Sequence, residues 1–288
     1  MRRRPAVPSA RRVRDAGVKA LLWLSAGATA ALLLFLAGTV CVRGAPGISF
    51  QFLTGQESVL RGITGILPGI VNTLVVIAVS LAAVLPLGVG AAIYLTEYAR
   101  NRCLVEAVEF AAGALSGIPS ILYAMIGALV FCEKLGLQKT LLAGAITLSV
   151  MTLPTVLCAA RESLKAAPDA YREGALGLGS GRWTMVRTVV LPASRDGIVT
   201  GCILAAGRVV GETAVLMYTA GLSTAMQDFS SLQSALRASG ATLSVALYVY
   251  AKERGDLTAA FATATVLLAL AALINLAASA VGRRGRRV

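Results

Sequence analysis

Arg208 and Glu212 stand four residues apart in AGRVVGETAVLMYTAG (206–221), a stretch otherwise made of small and apolar residues. Two kinds of chemistry suit that arrangement. A guanidinium offers a planar fork of donors to the oxygens of a passing oxyanion, with the carboxylate holding the fork in place and keeping the site from becoming a trap. Alternatively the two charges form a structural ion pair, within the chain or with a partner subunit. A spacing of four predicts one shared helical face. Gly207, Gly211 and Thr213 suit either reading, since small residues give room for a solute or allow close helix approach.

The solvent around that stretch follows from composition. The chain has 288 residues, of which 57% are hydrophobic and 14% charged, and its mean hydropathy is +0.76, too apolar for an ordinary soluble domain. Apolar stretches recur at 20–42, 66–95, 107–132, 140–160, 198–222 and 256–281, each long enough as helix to cross about 30 Å of hydrocarbon. These predict an all-α integral membrane protein with six transmembrane helices. Arg208 and Glu212 then lie near mid-depth of the fifth span, where an ionised side chain costs at least about 2.5 to 3.5 kcal/mol on insertion scales and has to face protein or a cavity. The basic arm MRRRPAVPSARRVRDAGVK (1–19) precedes an apolar run longer than a signal-peptide core, with no small-x-small cleavage site after it at a suitable distance. It is read as leading into a retained first span.

The formal charge of +13 is distributed by side rather than by patch. With the N-terminus inside, 19 of the 27 Lys and Arg fall in the N-terminal arm, the loop after span two, the loop at 161–195 and the tail at 282–288, against 7 on the other side. The positive-inside bias thus predicts both termini in the cytoplasm. No basic patch interleaved with aromatics is left for nucleic acid. Five cysteines stand singly, and the chain has no histidine, which argues against a metal site and against most nucleophile schemes.

Pro68, Pro86, Pro119 and Pro154 interrupt the apolar stretches. Each is either a packing kink or a break whose freed carbonyls face a neighbour or a water-filled path, and together they favour a transporter or channel over a plain anchor. The segment 223–254, expected on the outer face, carries LQSALRASGATLSVALYVYAKE, read as a helix lying along the membrane surface that covers the bundle or meets a partner.

The loop at 161–195 contains KAAPDAYREGALGLGSGRWTMVRTVVLPAS. Pro168 suits a first helical turn, Tyr171 to Leu178 has helical spacing, Gly179 or Gly181 can end it, and a second short helix runs through Trp183 and Val186 to Pro192. This hairpin resembles the coupling motif of ABC-transporter permeases. Glu173, Ala175, Gly179, Val189, Leu191 and Pro192 fall at the family spacing, while Gly174 stands where the motif has alanine and loosens the helix by roughly 1 kcal/mol. Further segments, NTLVVIAVSLAAVLPLGVGAAIYLTEYA, SGIPSILYA, GRVVGETAVLMYTAG and ALINLAAS, resemble in order and spacing the PstA-type membrane subunit of bacterial phosphate importers.

The resemblance implies a type I ABC importer permease fold, with a core at 66–281 and a coupling helix in the cytoplasm. It implies a location in the bacterial inner membrane and three kinds of partner: a PstC-type permease, two copies of a cytoplasmic ATPase and an extracytoplasmic phosphate-binding protein. Glu173, Gly174, Ala175, Gly179, Leu191 and Pro192 would couple to the ATPase, and Arg208, Glu212 and Thr213 would line the translocation path. No G-x-x-x-x-G-K-[ST] occurs, so ATP and magnesium belong to the partner ATPase and this chain binds no cofactor. The same architecture carrying sulfate, molybdate or phosphonate remains open. A membrane-embedded enzyme would need catalytic groups at depth beyond Arg208 and Glu212.

Overall fold

The computed structural model describes residues 9–57, 64–225 and 231–284. The first eight residues of the basic arm, 226–230 of the segment expected outside and 285–288 of the tail lie outside the described residues.

Helix α1 (Ser9–Gly44) is long and apolar, and its apolar stretch is not buried against the rest of the chain. Only its last turns are docked. The short α2 (Phe50–Thr54), capped by the Ser49 hydroxyl on the Phe52 amide at 3.0 Å, buries Phe52 before the chain enters the bundle.

The bundle is built around α3 (Leu67–Ile93, prolonged by a widened π turn at Tyr94–Tyr98) and α6 (Leu141–Lys165), which pack along their lengths. Their approach is close because small residues meet there. A Cβ on Gly88 would come within 2.9 Å of the Val156 side chain, and Ser80 donates to the Ala145 carbonyl at 3.1 Å. Pro68 occupies the first turn of α3, where its missing N–H is harmless, while Pro86 and Pro154 lie inside continuous helices.

Pro119 is the proline that marks a break. The stretch 107–132, expected as one span, is a pair of helices, α4 (Arg102–Ser116) and α5 (Ser120–Gly127, continuing through Lys134), bent by 98°. Proline disfavours the helical region at the residue before it, and here Gly117 adds a flexible step that Pro86 and Pro154 lack. At the bend the Leu115 carbonyl accepts both the Ile118 amide at 3.2 Å and the Tyr123 hydroxyl at 2.9 Å. Among the described residues five helices are long and apolar enough to cross a membrane, or six if the bent pair is one span.

After α6 come α7 (Asp169–Gly177) and α8 (Arg182–Met185), the latter running through a π turn at Val186–Val190 into α9 (Leu191–Gly211). The chain is therefore helical from Arg182 to Gly211. The separate short helix expected to stop at Pro192 does not exist as such, because Pro192 sits in the first turn of α9, where proline needs no donor. After a break at Glu212 and Thr213 come α10 (Ala214–Thr219), α11 (Leu232–Arg237), α12 (Leu243–Tyr248, with a π turn at Val249–Glu253) and α13 (Leu257–Arg284).

The segment around α12 does not lie along a surface. Ala241, Leu243, Val245 and Tyr250 are buried. Their backbone is received by α3: the Asn72 amide donates to the Ala241 carbonyl at 3.0 Å, and the Thr73 hydroxyl accepts from the Leu243 amide at 2.9 Å. Irregular backbone enters an apolar bundle only where such partners wait for it.

Candidate functional site

The expected shared helical face of Arg208 and Glu212 is not formed. Arg208 lies in the last turn of α9, half-buried, but Glu212 has left the helix with φ −76° and ψ 118°. Its carboxylate turns forward and accepts the Val215 amide at 3.4 Å, capping the start of α10. No ion pair joins Arg208 to a carboxylate among the described residues. Arg208 instead stands near Tyr123 of α5, close enough for its charge to act on the phenol. Thr213, half-buried, completes the break, and its carbonyl accepts the Met217 amide at 2.9 Å.

Two hydroxyls absent from the sequence expectation reach the same place. Ser244, at the start of α12, donates to the Glu212 carbonyl at 2.9 Å and lies 3.1 Å from the Thr242 hydroxyl. The signal available in the sequence was the small, hydroxyl-rich run SGATLS (239–244) inside an apolar segment. The break thus joins a cation, a carboxylate, several hydroxyls and unwound backbone, which is chemistry for holding an oxyanion briefly. It holds no nucleophile paired with a base, and the described residues contain no group of three His, Cys, Asp or Glu able to hold a metal.

The second site is the hairpin of α7 and α8. Gly179 ends α7 with φ +83°, its amide on the Leu176 carbonyl at 2.9 Å and the next amide on Ala175 at 3.2 Å, a closure that only glycine makes without strain. Gly181, the other expected terminator, instead precedes α8 in extended conformation. Ala175 and Leu191 face inward and pack with Met185, Val186 and Leu164. Glu173, Gly174, Gly179 and Pro192 are exposed. So are the apolar side chains of Leu176, Leu178 and Trp183, with Leu178 91% exposed. The hairpin thus presents several apolar side chains that the rest of the chain leaves uncovered.

Arg172, one residue before Glu173, is a residue that no local pattern in the sequence singles out. Its guanidinium is received by the Glu97 carboxylate from the end of α3, with Nε at 3.1 Å and Nη2 at 2.9 Å from the same oxygen. Nη2 also donates to the Leu164 carbonyl at 2.8 Å, and Nη1 to the Ala167 carbonyl at 2.8 Å and to Asp169 at 3.0 Å. The hydrogen bonds from Glu97 push the Arg172 pKa above its ordinary value. At the same end of the bundle Arg161 and Lys165 of α6 both pair with Glu109 of α4, the lysine at 3.2 Å.

Comparison with known proteins adds four findings. Residues 84–287 match the family of binding-protein-dependent transport system inner membrane components. The chain is 34% identical over 220 residues to a probable ABC transporter permease protein, YqgI, of Bacillus subtilis (strain 168), covering 76% of this chain and 75% of that one. It is 31% identical over 219 residues to the phosphate transport system permease protein PstA 1 of Mycobacterium tuberculosis (strain CDC 1551 / Oshkosh), covering 75% and 70%. Its fold is also that of a solved bacterial alginate ABC transporter chain, crystallised in complex with an alginate pentasaccharide-bound periplasmic protein. The TM-score is 0.65 at 18% identity, over 94% of this chain and 95% of that one.

Proposed function

The chain belongs to the family of binding-protein-dependent transport system inner membrane components, and from that premise we propose that it forms half of the path by which an ATP-driven importer brings inorganic phosphate into a bacterial cell. It is a transport subunit rather than an enzyme. In this reading a related PstC-type permease supplies the other half, an extracytoplasmic binding protein delivers the anion, and two copies of a cytoplasmic ATPase bind ATP and magnesium. Both termini and the α7–α8 hairpin face the cytoplasm, as the distribution of Lys and Arg favours.

The observation that carries the anion reading is Arg208, a half-buried guanidinium in an apolar helix beside a break, with no carboxylate paired to it among the described residues. A cation at that depth is retained for a partner that arrives. Phosphate supplies oxygens to the fork, and the Glu212 carboxylate nearby limits how tightly the anion is held. The relatives named for phosphate transport favour phosphate over sulfate, molybdate or phosphonate. The hairpin carries the coupling reading: Leu178 and Trp183 enter a cleft of the ATPase, Glu173 and Gly179 shape the contact, and ATPase closure becomes helix movement between two access states.

The test is uptake by the complete importer in proteoliposomes with its binding protein. Labelled phosphate should be taken up in an ATP-dependent manner, and unlabelled phosphate should compete while sulfate and molybdate do not. Sulfate uptake indifferent to phosphate would overturn the anion assignment.

A further inference from the structure

Arg172 uses every N–H of its guanidinium: two positions go to Glu97 of α3, two to the last carbonyls around the end of α6, and one to Asp169 of its own helix. One side chain thus fastens three elements. Little else holds α7 to the bundle, since residues 173, 174, 176 and 177 are exposed, two of them glycines, and Ala175 gives it its apolar inward contact with the main cluster at that end. Glu97, in contrast, has a side chain only 4% exposed. Were α7 to swing away from α3, that carboxylate would be left buried without its cation, an outcome far costlier than moving the two together.

Beyond Glu97, α3 is the long central helix of the bundle, packed on α6 and α9. At its far end Asn72 and Thr73 hold the backbone of the segment whose Ser244 touches the Glu212 carbonyl. We propose that the Arg172–Glu97 pair is the stiff joint that passes movement of the coupling hairpin into α3 and so to the break at Glu212. Arg172 and Glu97 are positioning residues for transport, distinct from the surface that docks the ATPase. The inference rests on the coupling reading of the hairpin.

The experiment uses the complete importer in proteoliposomes and reads phosphate transported per ATP hydrolysed, alongside retention of the ATPase on purification. In Glu97→Gln and Arg172→Lys the ATPase should stay bound and ATP be hydrolysed, while uptake per ATP falls by about tenfold or more, as expected for loss of charge-assisted bonds at a buried site. In an otherwise cysteine-free chain, Glu97→Cys with Arg172→Cys removes both charges. Uptake per ATP should be low until the two thiols are bridged by a short bifunctional methanethiosulfonate, and then recover. Unchanged uptake per ATP in the single variants, or no effect of bridging, overturns the joint, as does loss of the ATPase from Glu97→Gln and Arg172→Lys. Should neither single variant insert into the membrane at all, the bridged pair decides. Gly179→Trp separates this inference from its premise. If that variant keeps the ATPase and full uptake, the coupling reading itself falls; if it loses them while Glu97→Gln behaves normally, only the joint falls.

Discussion

The Ser244 hydroxyl sits on the Glu212 main-chain carbonyl at 2.9 Å, so a segment inserted from one end of the bundle meets the interruption in α9 and α10. That carbonyl has no helical donor because the chain turns extended at Glu212, and the hydroxyl takes the place of one. The interruption is therefore held open from outside its own helix.

Ser244→Ala removes that donor and leaves the carbonyl unsatisfied in an apolar setting, a loss of about 1 to 3 kcal/mol. The variant should insert and assemble but melt at lower temperature in detergent, with reduced phosphate uptake. An unchanged melting temperature and full uptake would show that the contact is dispensable.

Arg208→Met is informative on its own, because Glu212 is engaged with the Val215 amide rather than with Arg208. Uptake normalised to inserted subunit should fall by about tenfold or more, in proportion to a lost charge-assisted contact with the anion. Adding Glu212→Leu should cost a further 1 kcal/mol or so of helix capping and no more. A coupling energy above about 0.5 kcal/mol in a double-mutant cycle on thermal stability, measured without phosphate, would mean that the two charges do act as a structural pair.

Leu178→Asp tests the exposed knob. This side chain is 91% exposed among the described residues, so stability should change by no more than about 0.5 kcal/mol. The ATPase, if it seats on this face, should copurify at a small fraction of the normal amount. Normal copurification would move the docking surface elsewhere.

Orientation is checked by single cysteines introduced at Ser180, in the hairpin, and Ser231, ahead of α11, in a cysteine-free chain. An impermeant thiol reagent applied to intact cells should label position 231 and leave 180 unlabelled until the membrane is opened. The reverse pattern would invert the topology.

What was legible in the sequence was what depends on a single continuous stretch. Apolar length announces helices such as α1, α6 and α13, and the turn after α7 follows from Gly179, whose φ of +83° is a local requirement. The rest depends on partners far along the chain. Glu97 and Arg172 are 75 residues apart, and Asn72 meets Ala241 across 169. No local pattern marks such pairs, so the joint and the burial of α12 stayed hidden. Arg208 and Glu212 misled for a related reason: spacing of four implies a common face only if the helix continues, and here Glu212 serves the next helix instead.

The first and last helices meet through the Thr265 hydroxyl on the Val40 carbonyl at 3.1 Å, 225 residues apart, with Arg43 over the Phe261 ring at 5.5 Å. At synthesis rates of roughly 5 to 20 residues per second, α1 waits about 10 to 45 s in the membrane before its docking partner is made. Its apolar surface, unburied by the rest of the chain, lets lipid alone stabilise it during that wait. Chain closure is thus a late event of biogenesis, and a chain truncated before α13 would retain an inserted α1 with nothing to dock against.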